Sequence, residues 1–137
     1  MRRLTALALI ALAPIVAGCG SDGPIQAVSS LPGIYTLRSV NGAALPFMLV
    51  AGDPSLEVTG DELALASGGS FAQRTSFRIT TGGVASADVA NETGTYTESG
   101  ATVTLRFARD NSTVTGVVSG NTVTISAPGL VLVYARP

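Results

Sequence analysis

From Gly33 to the C-terminus apolar and polar residues alternate one by one, and turn residues interrupt the alternation every few positions. A period of two belongs to β-strands, whose successive side chains point to opposite faces. Val and Thr, which suit a pleated surface, are abundant there. No stretch repeats apolar residues at the i, i+3, i+4, i+7 spacing of an amphipathic helix. The chain is therefore expected to be all-β.

Read in order, the first strand runs from Gly33 to Val40, with Tyr35 and Leu37 on one face and Thr36 and Arg38 on the other. Asn41-Gly42 turns the chain. Leu45 to Val50 is apolar but carries Pro46, which suits a short edge piece or a segment covering a barrel end. After Asp53-Pro54, Leu56 and Val58 begin a short strand, Gly60-Asp61 bends it, and Leu63 and Leu65 continue on one face. Ser67-Gly68-Gly69-Ser70 is the next turn. Phe71 to Thr80 is the longest expected strand, with Phe71, Thr75, Phe77 and Ile79 on one face and Arg74 and Arg78 on the other. Gly82 to Asn91 is rich in Gly, Ala and Ser and reads as a loop. Five strands follow: Thr93 to Glu98, Ala101 to Ala108, Ser112 to Ser119, Asn121 to Ala127 and Leu130 to Arg136.

Eight or nine strands joined by short loops, with no βαβ alternation, make an antiparallel up-and-down meander. Such a sheet has two open edges unless it closes on itself. The expected architecture is a closed or nearly closed barrel over residues 33–137. A two-sheet β-sandwich is the alternative.

The first 19 residues follow a different logic. Arg2 and Arg3 give a positive start, and Leu4 to Val16 is an apolar run of 13 residues broken only by Thr5 and Pro14. A membrane-spanning helix needs about 20 residues, so this run fits a secretory signal. Val16-Ala17-Gly18-Cys19 closes it with an aliphatic residue, two small residues and the chain's single Cys. These residues resemble the lipobox of bacterial lipoprotein precursors. The resemblance implies a signal peptide over 1–18, cleavage between Gly18 and Cys19, and a diacylglycerol thioether on Cys19. N-acylation by a fatty acid such as palmitate often follows. Two or three acyl chains hold a protein firmly at a membrane, each buried CH₂ adding about 0.8 kcal/mol. Gly20 rather than Asp follows the cysteine, which leans toward the outer membrane, facing the periplasm or the surface. Residues 19–32 read as the lipidated N-terminus and a flexible tether, which reaches roughly 20 Å at about 5–6 Å × √n.

The side-chain inventory excludes whole classes of function. From Cys19 onward six Arg stand against nine acids, a formal charge of −3, so no nucleic-acid partner is expected. The chain has no His, no Trp and no Lys. Without His there is no Ser-His-Asp triad, and no Cys/His set can hold zinc. No cofactor, metal site or catalytic residue is expected, and the protein is read as a non-enzyme. A carboxylate pair is the one catalytic route left, as in a hydrolase. Asp61 and Glu62 are adjacent, point to opposite strand faces and read as solvated turn acids. Arg74, Arg78 and Arg106 read as an outward, solubilising face rather than an anion clamp.

The domain itself shows a further likeness. Gly33-x-Tyr35-x-Leu37, then Val40-Asn41-Gly42, Leu45-Pro46 and an apolar last strand resemble the lipocalin-like domains of small bacterial lipoproteins. The resemblance implies that Tyr35 plugs the closed end of a barrel and that Arg136 packs across it. Tyr35, Phe71, Phe77, Tyr96, Phe107 and Tyr134 are the candidates for a ligand cavity or a packed core. The expected function is a lipid-anchored envelope module that binds or scaffolds without catalysis. Its partners would be the membrane, through the acyl chains on Cys19, and a small apolar ligand or an envelope protein. The alternative is a carrier of a small apolar ligand inside the barrel, which needs a cavity of roughly 300 Å³ or more.

Overall fold

The computed structural model describes residues 31–137. Gly18, Cys19, the leader and most of the expected tether lie outside the described residues. Ten strands form one antiparallel sheet: β1 (Gly33–Val40), β2 (Ala43–Ala44), β3 (Phe47–Val50), β4 (Ser55–Leu65), β5 (Ser70–Thr81), β6 (Val84–Ser99), β7 (Thr102–Phe107), β8 (Thr113–Ser119), β9 (Thr122–Ala127) and β10 (Leu130–Ala135). Consecutive strands from β4 to β10 pair in turn, β10 pairs with β1, and β1 closes the ring on β4. The result is a closed, eight-stranded, up-and-down barrel rather than a sandwich. β2 and β3 stand outside the ring, β2 on β1 and β3 on the outer half of β4. The Pro46 segment is thus the edge piece that its sequence suggests.

Two parts of the sequence reading are corrected. Gly82 to Asn91 is not a loop. Gly82-Gly83 form a two-residue turn with positive φ, and β6 then pairs with β5 without interruption from Val84↔Thr81 to Thr95↔Ser70. All of Val84–Asn91 is solvent-exposed, since β7 pairs only with Gly94 and the residues after it. With no core face to fill, this half-strand carries no hydrophobic alternation, and the ladder to β5 alone sets its conformation. The strand expected at Thr93 to Glu98 is its second half.

The second correction is at Gly60-Asp61, where there is no turn. The β4–β5 register shifts between Val58 and Gly60, a bulge that leaves Thr59 as the extra residue. A bulge changes the parity of the strand. Val58 points inward before it, and Asp61, Leu63 and Leu65 point inward after it, all four buried.

Inward residues fill the barrel from one end. Tyr35, Leu63, Val103, Leu105, Val123 and Tyr134 are completely or almost completely buried. The Phe71 and Phe107 rings meet edge to face at 5.3 Å between centroids. Leu31, assigned to the tether by sequence, is 1% exposed and accepts a 2.7 Å hydrogen bond from the Tyr35 hydroxyl through its carbonyl. The Arg136 guanidinium covers the Tyr35 ring at 5.4 Å from its centroid and donates from Nη1 to the Pro32 carbonyl at 3.1 Å. Gly33 makes room for it: a Cβ there would lie 3.3 Å from Arg136 Nη1. Gly94 serves the barrel wall similarly, because a Cβ there would lie 2.0 Å from the Arg106 carbonyl oxygen and 2.6 Å from the Phe71 ring. No side chain larger than hydrogen fits at that crossing.

Candidate functional site

The other end of the barrel is not filled. A pocket of about 170 Å³ opens there, walled by Leu37 and Val40 of β1, Leu49 of β3, Val58 of β4, Phe77 of β5, and Leu130 and Leu132 of β10. Its polar groups are Asp61, Gln73 and Thr75. The elements that place them follow from the pairing already described. The bulge at Thr59 turns Asp61 inward, and Asp61 pairs across the ladder with Thr75, while Leu63 pairs with Gln73. Gln73 and Thr75 lie on the inward face of β5, between Phe71 and Phe77.

Asp61 is the one buried charged or polar side chain among the described residues, 7% exposed. Its Oδ2 accepts from Thr75 Oγ1 at 2.6 Å and from Gln73 Nε2 at 2.8 Å. Gln73 Nε2 also donates to the Tyr134 hydroxyl at 3.1 Å, so Tyr134 closes the network from the packed side. Oδ1 has no hydrogen-bond partner. Burial raises the Asp61 carboxyl above its ordinary value, and the bonds from Thr75 and Gln73, with the Tyr134 hydroxyl close by, oppose that without cancelling it. Burial raises the Tyr134 phenol as well, and the neighbouring carboxylate adds to the effect.

The structure sorts the six aromatic candidates. Tyr35, Phe71 and Tyr134 are core. Tyr96 and Phe107 are half-buried against that core, and the Tyr96 hydroxyl donates to the Ala66 carbonyl at 2.7 Å. Phe77 alone among them lines the pocket. Asp61 is not a solvated turn acid, and Glu62 next to it faces outward as alternation requires. Arg78 is ion-paired with Glu57, while Arg74 and Arg106 are exposed. Sequence reasoning missed Asp61, Gln73 and Thr75 as a group. The signal lay in the switch of apolar parity from Leu56 and Val58 to Leu63 and Leu65, which a bulge explains as well as a turn does.

Other hollows of about 280, 320 and 350 Å³ are lined by strand residues such as Ile34, Arg106 and Arg74, all three solvent-exposed. None holds a buried polar side-chain atom without a partner, a feature that Asp61 Oδ1 alone shows among the described residues. No three His, Cys, Asp or Glu side chains of the described residues gather to hold a metal. Comparison with protein-family models and with curated proteins finds no match.

Proposed function

We propose that this protein is a lipid-anchored module of the cell envelope that works by binding, and that the open end of its barrel is the binding site. The observation that carries the reading is an apolar-walled pocket left open at one end of the barrel, with Asp61, Gln73 and Thr75 as its few polar groups. Largely apolar walls with a small number of placed polar groups are what a small-molecule site presents. The volume limits the occupant. A dry apolar cavity of about 150 Å³ engineered in another protein binds benzene. A site of about 170 Å³ therefore suits a molecule, or part of one, with roughly six non-hydrogen atoms. It is below the roughly 300 Å³ expected of a carrier that encloses a small apolar ligand inside the barrel.

Anchoring rests on the Val16-to-Cys19 spacing and the leader before it, with acyl chains on Cys19 as the membrane contact and the outer membrane as its place. Kinship with lipocalin-like domains is supported by Gly33, Tyr35 and Arg136, whose contacts close one end of the barrel. The non-catalytic reading rests on the pocket's lining, in which Asp61 is the one acid among the described residues. Carboxylate-based hydrolysis needs two acids about 5–9 Å apart across a cleft, and Glu62 points away.

The binding test is methyl NMR of the full chain titrated with n-pentanol, a six-heavy-atom apolar probe. Shifts should concentrate on Leu37, Val40, Leu49, Val58, Leu130 and Leu132. Shifts that miss these residues, or no response at high millimolar probe, would refute the site.

A further inference from the structure

We propose that the outer half of β6, from Val84 to Ala90, is a pairing edge for a second copy of this chain, the two strands joining antiparallel about a two-fold axis at Ala87. The proposal does not involve the pocket and stands independently of the binding reading above.

The first argument is the backbone. Gly82-Gly83, both with positive φ, form a two-residue turn that leaves Thr81 and Val84 as a hydrogen-bonded pair. Hydrogen bonding alternates along an antiparallel ladder, so Val84, Ser86, Asp88 and Ala90 bond to β5. The N–H and C=O groups of Ala85, Ala87 and Val89 therefore point to the other side. Strand β7 and its following turn supply partners there only from Thr93 onward: the Ala108 N–H donates to the Thr93 carbonyl at 2.9 Å, and the ladder begins at Gly94. Among the described residues, one of these outward groups is bonded, the Val89 N–H, which donates to Asp88 Oδ1 at 2.8 Å.

The second argument is the contrast with the rest of the sheet. A long open edge templates pairing with another chain, and proteins blunt such edges with short strands, bulges, Pro or charge. The closed ring has no edge of its own. Strand β2 has two residues; β3 has four, follows Pro46 and carries a register shift between Met48 and Val50. The outer half of β6 is neither short nor bulged, its ladder to β5 running without a shift. It contains no Pro and no Lys, its one charge is Asp88, and Val84 is 73% exposed. Because β3 is blunted, two β6 edges that pair close as a dimer and do not propagate.

The third argument is self-complementarity, and it selects a second copy as the occupant. With the axis at Ala87, Ala87 faces Ala87, Ala85 faces Val89, Ser86 faces Asp88 and Val84 faces Ala90 of the partner copy. Apolar residues meet apolar residues. The Ser86 hydroxyl donates to the Asp88 carboxylate in place of the Val89 N–H, which is released to the partner's Ala85 carbonyl. Sliding the partner by two residues sets Asp88 against Asp88 in one direction, a like-charge pair, and against Val84 in the other. The register at Ala87 forms about six main-chain hydrogen bonds. It also leaves the partner's Gly82-Gly83 turn beside Asn91, short of Thr93, where the Ala108 N–H occupies the edge.

The test uses the full chain carrying Cys19→Ser, so that an introduced thiol is the only one. At NMR concentrations this chain should sediment with twice the monomer mass. Ala87→Pro and Ala87→Lys should each return it to monomer mass with unchanged β-type circular dichroism, because the Ala87 N–H lies on the open side and its side chain is exposed. The Ala87→Cys chain should form a covalent dimer on mild oxidation, since facing Cα atoms of a hydrogen-bonded pair lie about 5.5 Å apart. Ala85→Cys, whose two copies stand four residues out of register, should cross-link roughly tenfold more slowly. Monomer mass for the Cys19→Ser chain would overturn the proposal and leave the edge to a strand of a different protein. A dimer that persists in Ala87→Lys, or equal cross-linking at the two positions, would overturn it as well. Ala87→Lys and the cross-linking pair decide the question even if Ala87→Pro fails to fold.

Discussion

Replacing Asp61 by Asn should make this protein more stable near neutral pH. An Asn side chain is nearly isosteric, and its oxygen can still accept from Thr75 Oγ1 and Gln73 Nε2 in place of Oδ2. Its amide nitrogen takes the place of the unpartnered Oδ1. The gain is the removal of a charge from a position 7% exposed to water. The loss is the charge assistance in two hydrogen bonds. The carboxyl is raised above its ordinary value, with burial as the largest cause, so desolvation outweighs the donors. An unpartnered buried polar group costs about 1–3 kcal/mol, more if charged, and the amide nitrogen is as unpartnered in that place as Oδ1 was, so only the excess due to charge is removed. Allowing for the weakened bonds, the substitution should stabilise the fold by about 1 kcal/mol. For a domain of this size that is roughly 4–8 °C in Tm per kcal/mol.

The pH dependence follows from the same direction. A carboxyl raised in the folded state binds its proton more tightly there than in the unfolded chain, whose value is near 3.8. The stability this contributes is fully present below that value and is lost as pH rises through the folded value. Urea melts of both proteins across a pH series, followed by circular dichroism, should therefore converge in acid and separate toward neutrality, with Asp61→Asn the more stable. Lower stability of Asp61→Asn at neutral pH would refute the reasoning, because the carboxylate would then be a net structural asset.

Three further outcomes are expected. Gly94→Ala sets a Cβ against the Arg106 carbonyl and the Phe71 ring and should destabilise the barrel by about 3 kcal/mol or more. A loss under about 1 kcal/mol in a denaturant melt would contradict the close crossing. Arg136→Ala uncovers the Tyr35 ring and frees the Pro32 carbonyl; a cation–π contact and a charge-assisted hydrogen bond together predict a loss of about 1–3 kcal/mol, and an unchanged Tm would show that the closed end does not depend on it. Cys19→Ser should abolish incorporation of radiolabelled palmitate in cells, and label persisting in that variant would remove the anchor from the proposed function.

The barrel was legible where side chains alternate against a core. Val103, Leu105 and Phe107 in β7, and Tyr35 and Leu37 in β1, declare both their strands and their inward faces. Closure followed from the physical cost of open edges, and β1 pairing with β4 meets it. The legibility ended where the backbone, not the side chains, sets the structure. Val84–Asn91 has no buried face, so its composition says nothing about the ladder that holds it. The bulge at Thr59 is a backbone event of one residue, and it decides whether Asp61 points into water or into the pocket. Leu31 looked like tether because a single apolar residue beside Pro32 carries no period. The closed end was visible in Gly33-x-Tyr35 and Arg136. The open end, built from seven apolar residues of five strands, was not.

The open end of the barrel as a binding site is tested by a crystal structure of the full chain grown with n-pentanol. The alcohol's carbon chain should lie between Leu37, Leu49, Leu130 and Leu132. An open end collapsed onto itself, or the alcohol bound elsewhere, would contradict the proposed function.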